Sequence, residues 1–561
     1  MTAQPGINLI LGGGDAGKST ILEAVALLLS PNNSTVLTDA DYYGRRIADG
    51  FVIQAIMFLP TGCGIDYQLK PCWPWEWNGA DAVVPSADTD NSTQGFPVYR
   101  LQVRGNEDLE LVYEIVQPDE TTDHFSASLR RSIGLVKLGG DDRNDRDLRL
   151  VQGSALDRLL SDKSLRSRMA NELAKSEVKS QLIPDKQAAL ESLNQAFKQQ
   201  NLPNQLDLAI IGGQGASVAS MAGLTATRDG VSLPLASWGA GTRRLSALAI
   251  AEQNQGPAPI TVVDELERGL EPYRQRALTE KLQSRRSQVF ITTHSPFVLE
   301  AASNATFWHI DSNGRIGQLE GNKISKIRAS DPGTFLSRLA VIAEGETEVG
   351  FVSTLLERAL GSPLKDFGVH VCYCEGNDNT LEVLEALTEG GLCFAGFADD
   401  ENRNTTRWQR IAIALGPLLF RWASGCIEQN IIGVTPDNKL ESLMIDPVGE
   451  RTGMRQRTLA IRLGIEEKDF ASISAKAGSK LRAFMIEASL GRTPEEALAK
   501  SEKKSLEKHS RYWFKTKTGG QELEKKLFSL GLWPDFKDLL LPFCNAVRRA
   551  LGLIEISDLP H

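Results

Sequence analysis

The sequence predicts an α/β protein built from two successive sheets, each with chemistry at the carboxyl ends of its strands, and three observations predict it. A glycine-rich turn, Gly12–Ser19, sits between an apolar run and a helical one near the start. Two later apolar runs, Ile260–Val263 and Gln288–Thr293, end in Asp264-Glu265 and in His294-Ser295. After a linker at Ser330–Gly333, apolar runs again alternate with helical pattern and again end in acids. Strands that alternate with helices pair in parallel, and parallel sheets collect their chemistry at the carboxyl edge.

The first element is a strand at Ile7–Leu11, and the last before a long gap is a helix at Thr20–Leu29. Between them Gly12–Ser19 fits G-x-x-x-x-G-K-[ST], in the strand–turn–helix context that makes the pattern a phosphate-binding loop. Glycines let the backbone wrap a phosphate chain, and its N–H groups face the ligand at the positive end of the helix dipole. Gly12, Asp15, Gly17, Lys18, Ser19 and Thr20 are therefore the candidate nucleotide contacts. Lys18 is placed to reach the β- and γ-phosphates of ATP, and the Ser19 hydroxyl to sit on Mg²⁺.

With 561 residues the chain has room for roughly three or four domains. A hydrophobic content of 41% and a charged content of 24% place it among ordinary globular proteins. No apolar run approaches the ~20 residues of a membrane span, and no signal peptide is visible, so a cytoplasmic protein is expected. Its seven cysteines are odd in number and lack C-x-x-C pairs, which argues for core thiols in a reducing compartment and against zinc. Net charge is −9, but Arg451–Ala550 holds 21 Lys and Arg against 12 Asp and Glu. That local excess is what a phosphate backbone requires.

Along the chain, Trp73, Trp75 and Trp77 form a cluster that reads as a satellite core or a partner patch, beside a Ser/Thr/Asp-rich stretch at Ser86–Thr93. Leu-, Ala-, Lys- and Gln-rich sequence predicts helices at Ser154–Ser180 and Pro184–Gln200, suited to an arm or a dimer surface. A turn near Asp311–Gly314 begins a hairpin, and a domain boundary is expected near 330.

A second strand ending in carboxylates is what a phosphate-loop ATPase needs. Asp264 would hold Mg²⁺, Glu265 would polarise the attacking water, and His294 at the next strand end would touch the γ-phosphate. Upstream, Ser237, Gly239 and Gly241 open another helix, a second anion site. In this order the four motifs resemble the ABC-type ATPase heads of the SMC and DNA-repair group. That resemblance implies ATP sandwiched between two heads, with 1–150 and 205–330 as the two parts of the head and 151–204 as a helical dimerisation insert. Only Met1–Gly6 precede the first strand, where ABC heads carry an extra strand pair with an adenine-stacking aromatic.

The remainder carries a second constellation. Strand Leu339–Ala343 runs into Glu344, with Glu348 four residues on, and strand Leu392–Ala398 ends in Asp399, Asp400 and Glu401. A third strand is expected at Gly425–Ile432, carrying Glu428. Acids gathered at one sheet edge repel unless cations share them, and oxygen-only ligands suit Mg²⁺ or Mn²⁺. Glu-Gly-x-x-Glu followed by Asp-x-Asp/Glu resembles the Toprim domain, here over Leu339–Ile432. Asp399 and Glu401 take the second motif's roles, with Asp400 the alternative. The Toprim domain is accordingly bounded at 331–450, and a basic helical C-terminal part at 451–561.

An ABC head followed by Toprim resembles the OLD-family endonucleases (overcoming lysogenisation defect), which include the Gabija nuclease subunit. The resemblance implies metal-dependent cutting of DNA by a homodimer, in antiphage defence and alongside a possible second defence protein. It also implies a lysine beyond the acids that steadies the scissile phosphate: Lys517 is assigned, with Lys515 the alternative. Two other readings stay open, cleavage of RNA such as tRNA, and an ATPase sensor or scaffold acting through a partner.

Overall fold

The computed structural model describes residues 1–560 apart from 32, 34, 60–61, 66–71, 86–95, 140–145, 152–153, 161–178, 211–221, 254–258, 285–286, 312, 450 and 493–507. Most of the predicted helix Ser154–Ser180, and the Ser86–Thr93 stretch, lie outside the described residues. The chain divides into two compact units. One comprises residues 2–10 and 18–306; the other comprises residues 307–561 with Met1 and the loop Leu11–Gly17.

In the first unit the strands are β1 (Ile7–Gly12), β2 (Phe51–Met57), β3 (Trp75–Trp77), β4 (Ala82–Val83), β5 (Phe96–Gly105), β6 (Leu111–Val116), β7 (Thr122–His124), β8 (Leu135–Leu138), β9 (Asp207–Ile210), β10 (Ala222–Arg228), β11 (Val231–Pro234), β12 (Ile260–Val263) and β13 (Val289–Thr292). β8, β12, β13 and β1 lie side by side in that order, all parallel. β1, β12 and β13 are buried at every residue, which is why they read as unbroken apolar runs. Parallel register aligns Ile10 with Thr292 and Val263 with Ile291, so Asp264 and His294 follow strand ends at one edge of the sheet.

An antiparallel sheet, β4-β3-β5-β6-β7 with β2 also on β5, fills the stretch between the phosphate loop and β8. Within it Trp75 packs with Ala82 and Val98 in a small core, while Trp73 stays 65% exposed. The tryptophan cluster is thus chiefly a satellite core. Helix Pro184–Gln199 forms as its sequence predicts: Pro184 sets the first turn, and Leu190, Leu193 and Phe197 make the buried stripe.

The second unit opens with a hairpin of β14 (Thr306–Ile310) and β15 (Ile316–Gln318), closed by a turn in which Gly314 N–H donates to the Asp311 carbonyl. The Asp311 carboxylate accepts from Cys393 N–H at 3.1 Å, and the His309 ring lies 5.1 Å from that of Phe394. Next come the parallel strands β16 (Leu339–Ala343), β17 (Val369–Tyr373), β18 (Ala395–Ala398) and β19 (Leu419–Arg421), in the order β17-β16-β18-β19. Cys372 is buried in β17 and Cys374 just beyond it, as core thiols.

One element differs in kind from the sequence reading. The third acid-bearing segment is not a strand but a helix, Ile427–Val434, preceded by the short strand β19. Gln429 reaches back to the Cys426 N–H to cap it, and Ile427, Ile431 and Ile432 form a buried stripe at helical spacing.

Helices Thr452–Leu463, Phe470–Ala477, Leu481–Leu490, Lys517–Ser529 and Trp533–Ala550 complete the unit. They share one core with the sheet, in which Val341, Phe351, Phe397, Ile431, Trp513, Leu527 and Phe543 all take part. Phe397 of β18 stacks on Phe420 of β19 at 4.6 Å and meets Phe543 of the last helix edge-on. Part of the basic excess of 451–550 is internal: Arg455 and Lys526 are both buried against Glu522, at 2.6 and 2.7 Å. Among the described residues no helix is long and apolar enough to cross a membrane.

Candidate active sites

β1 leads into the loop Gly12–Gly17, where Gly12, Asp15 and Gly17 all take positive φ. Gly12 is irreplaceable on two counts, with φ +145° and a would-be Cβ 2.6 Å from the Ile310 carbonyl oxygen. The adjoining helix, Lys18–Leu28, begins with a buried lysine. Asp15 and Thr20 are exposed at the same turn.

Ser19 Oγ donates to Asp264 Oδ1 at 3.0 Å, so the hydroxyl and carboxylate assigned to Mg²⁺ already touch. Thr292, at the end of β13, donates to the same oxygen at 2.5 Å and accepts from the Glu265 N–H at 2.8 Å. Thr292 therefore holds both acids of the motif, a role the sequence reading missed; a hydroxyl closing a buried apolar strand was its signal. Glu265 adopts left-handed φ of 47° and lies 3.4 Å from Arg268. Glu267, also missed, accepts from Thr293 Oγ1 and from the His294 N–H at 2.5 and 2.7 Å, which fixes the backbone under His294. Burial, and after it the nearby Lys18 charge, holds the His294 imidazole below its ordinary pKa. The ring is neutral near pH 7 and able to donate or accept one hydrogen bond.

Ser237 donates to the Pro234 carbonyl at 2.7 Å, and the helix Ala240–Gln253 begins three residues later. Gly241 is glycine because a Cβ there would lie 2.2 Å from the Gly269 carbonyl oxygen, whereas the space around Gly239 is open. In the same helix the buried Arg244 donates to the Asp264 carbonyl, and at 3.5 Å to that of Arg268. Burial pulls its pKa down to about 10. The Ser-x-Gly-x-Gly segment is thus tied to the turn that carries Asp264.

In the second unit, β16 delivers Glu344, the helix Glu346–Leu360 delivers Glu348, β18 delivers Asp399, and the helix Ile427–Val434 delivers Glu428. All four are buried. Glu344 accepts from Asn377 Nδ2 at 2.7 Å and from the Asp399 N–H at 3.0 Å. Asn377 is in turn held by Trp408 Nε1 at 3.2 Å. Gly345 fits the motif because a Cβ there would sit 2.3 Å from Glu348 Oε2.

Burial raises the pKa values of Glu344, Glu348 and Asp399; the neighbouring carboxylates raise them further, and Glu348 reaches about 7. Of the three consecutive acids, Asp400 turns to Arg421 at 2.6 Å. All three acids line a cavity of about 520 Å³ together with Glu344, Cys426 and Lys515.

The structure places Lys515, not Lys517, among the acids. Lys515 Nζ is 3.1 Å from Glu428 Oε1, while Lys517 is the exposed first residue of the helix Lys517–Ser529. Burial works against the Lys515 charge, but Glu428 and Glu348 hold its pKa above the ordinary lysine range. Gly519 and Gly520 belong to that helix. Gly520 lets it approach the helix Glu346–Leu360 so closely that a Cβ there would lie 2.0 Å from the Thr347 carbonyl oxygen.

The donor set fits a hard divalent ion. Glu348 Oε1, Asp399 Oδ1 and Glu428 Oε2 are buried oxygens without a hydrogen-bond partner, and an unsatisfied buried carboxylate is costly unless a cation meets it. Among the described residues no three such side chains yet converge at ligand distance.

Two family descriptions match the chain: "AAA domain, putative AbiEii toxin, Type IV TA system" over residues 108–300, and "Overcoming lysogenization defect protein-like, TOPRIM domain" over residues 335–400. No curated protein matches it in sequence. Similar solved structures include an Smc head bound to the C-terminal winged-helix domain of ScpA, at 16% identity and TM-score 0.35 over 57% of this chain and 92% of that one. Another is the Smc head with an extended coiled coil bound to a ScpA C-terminal domain from Pyrococcus furiosus, at 14% and 0.35 over 58% and 92%. A third is the recombination mediator RecF with ATP, at 14% and 0.31 over 56% and 93%.

Proposed function

We propose that this chain, an ATPase and Toprim-type endonuclease with the domain architecture of the overcoming-lysogenisation-defect proteins, cuts DNA under the control of ATP in defence against phage. ATP use and a divalent metal follow from the two domains; Mg²⁺ or Mn²⁺ is the ion that an oxygen-only donor set selects. The observation that carries the reading is the trio of orphaned carboxylate oxygens on Glu348, Asp399 and Glu428, with Lys515 beside them.

Glu344, Glu348, Asp399, Glu401 and Glu428 would hold the metal. A divalent ion there supplies a Lewis acid and a water of lowered pKa for phosphodiester cleavage. Asn377 keeps Glu344 oriented, and Lys515 offers a fixed positive charge to a phosphate that gains negative charge. In the ATPase, Gly12, Asp15, Gly17, Lys18 and Thr20 cradle phosphates, Ser19 and Asp264 take the metal, Glu265 orients water, and the neutral His294 contacts the γ-phosphate. Ser237, Gly239 and Gly241 serve the nucleotide of a second copy in a cytoplasmic homodimer that uses the 151–204 insert.

The test is purified protein with supercoiled plasmid and Mg²⁺ or Mn²⁺, with and without ATP, beside Glu344→Ala. Metal-dependent nicking that vanishes in the variant is the expected result. ATP hydrolysis without any cutting of DNA would overturn the DNA reading, and cutting of total cellular RNA instead would replace it.

A further inference from the structure

Two arginines outside the motifs, Arg403 and Arg492, line the same cavity as Glu344, Asp399 and Lys515. We propose that they grip the phosphates that flank the scissile bond. This rests on the nuclease reading and names the part of that site that holds the substrate backbone.

Among the described residues the other cation lining the cavity, Lys515, already has a partner, Glu428 at 3.1 Å. Arg403, by contrast, has a side chain 70% exposed and meets Glu401 only at 3.8 Å. Arg492 is exposed and forms no ion pair among the described residues.

Its backbone is nonetheless fixed: the Arg492 N–H donates to the Glu487 carbonyl at 3.0 Å, and its own carbonyl accepts from the buried Arg462. The guanidinium therefore projects from an anchored point just past the helix Leu481–Leu490, whose last residue lines the cavity too.

Charge explains why such groups are needed. With one divalent ion in place the five carboxylates and Lys515 still carry net negative charge, and with two they come to about none, so the metal centre itself does not attract a polyanion. Attraction must come from the rim, where, among the described residues lining the cavity, Arg403 and Arg492 are the cations without a close ion pair. Arginine is suited to this because its planar fork binds phosphate oxygens in pairs. Arg403 lies just beyond the β18 acids and Arg492 comes from the basic C-terminal helices, so the two approach the backbone from different elements. The C-terminal region then takes part in substrate binding as well as in the core.

The experiment is binding of a short fluorescein-labelled DNA duplex in Ca²⁺, read by anisotropy across a salt series, for the wild type, Arg492→Ala, Arg403→Ala, the double variant and Arg492→Lys. Each alanine is expected to weaken binding several-fold and to reduce the log–log salt slope by about 1, with Arg492→Lys keeping most of the slope. Unchanged affinity and slope in both alanine variants would overturn the clamp, as would a wild type that binds no duplex. Plasmid cleavage run in parallel separates the two ideas. Glu344-dependent cutting with an unchanged salt slope removes the clamp and leaves the nuclease reading, whereas a reduced slope without any cutting removes the nuclease reading and leaves the two arginines as backbone contacts with no scissile bond between them.

Discussion

The ammonium of Lys515 stands 3.1 Å from Glu428, a carboxylate with no exposed surface. This pair makes Lys515 the residue that carries positive charge into the nuclease site. Replacing it with alanine removes that charge and leaves Glu428 buried without compensation. Cleavage should fall by roughly 10²–10³-fold, in line with loss of one preorganised electrostatic contact. The metal-free protein should also lose stability, since removing the half-buried Lys515 strands the fully buried Glu428. Lys517→Ala, at an exposed helix start, should leave both unchanged. Plasmid nicking rates and thermal melts of the two variants check this, and equal losses in both would refute it.

The raised pKa of Glu348 links stability to pH. Its carboxyl titrates near 4.5 when unfolded and near 7 when folded, so the folded state holds more protons between those values. Stability of the metal-free protein therefore falls as pH rises from about 4.5 to about 7. Glu348→Gln, which stays neutral, should melt higher than the wild type at pH 7.5 in EDTA, and the gap should shrink at pH 5. A gap of the same size at both pH values would exclude Glu348 as its source.

The motif order could be read in the sequence because phosphate and metal chemistry admits few residue types at each strand end. β1, β12, β13 and β16 could be read because strands buried on both faces leave unbroken apolar runs. Glu428 was found although its segment was misassigned: Ile427, Ile431 and Ile432 suit a strand or a helix alike, and the Gln429 cap decides between them. What separates Asp400 from its neighbours is its pairing with Arg421, a residue from the neighbouring strand. The choice of Lys515 over Lys517 rests on the approach of Gly350 and Gly520 between two helices distant in sequence. No local pattern encodes either fact, because both are tertiary.

That approach is itself testable. A Cβ on Gly350 would lie 1.9 Å from the Lys517 carbonyl oxygen, and one on Gly520 2.0 Å from that of Thr347. Neither neighbour is a flexible side-chain end, so alanine must push the helices apart, at a cost of about 1–3 kcal/mol. Gly520→Ala should lower the melting temperature, move Lys515 off Glu428 and reduce cleavage more than ATP hydrolysis. Full cleavage in the variant would show that Lys515 does not depend on this packing.

In the ATPase, Thr292 gives the sharpest test of a residue that acts only through others. Its hydroxyl donates to Asp264 and accepts from the Glu265 N–H, while the backbone of β13 holds it rigid. Thr292→Val keeps shape and burial but removes both bonds. One of them runs to a charged group, for which a loss of about 1.5–3 kcal/mol is typical. If Asp264 is the metal-holding acid, the variant should bind ATP without metal as the wild type does and hydrolyse it roughly ten- to a hundredfold more slowly. Higher Mg²⁺ should recover part of the rate, because a loosened Asp264 weakens metal binding first. Thr292→Ser, which restores the hydroxyl, should restore hydrolysis. A valine variant with wild-type turnover at low Mg²⁺ would mean that Ser19 alone fixes Asp264.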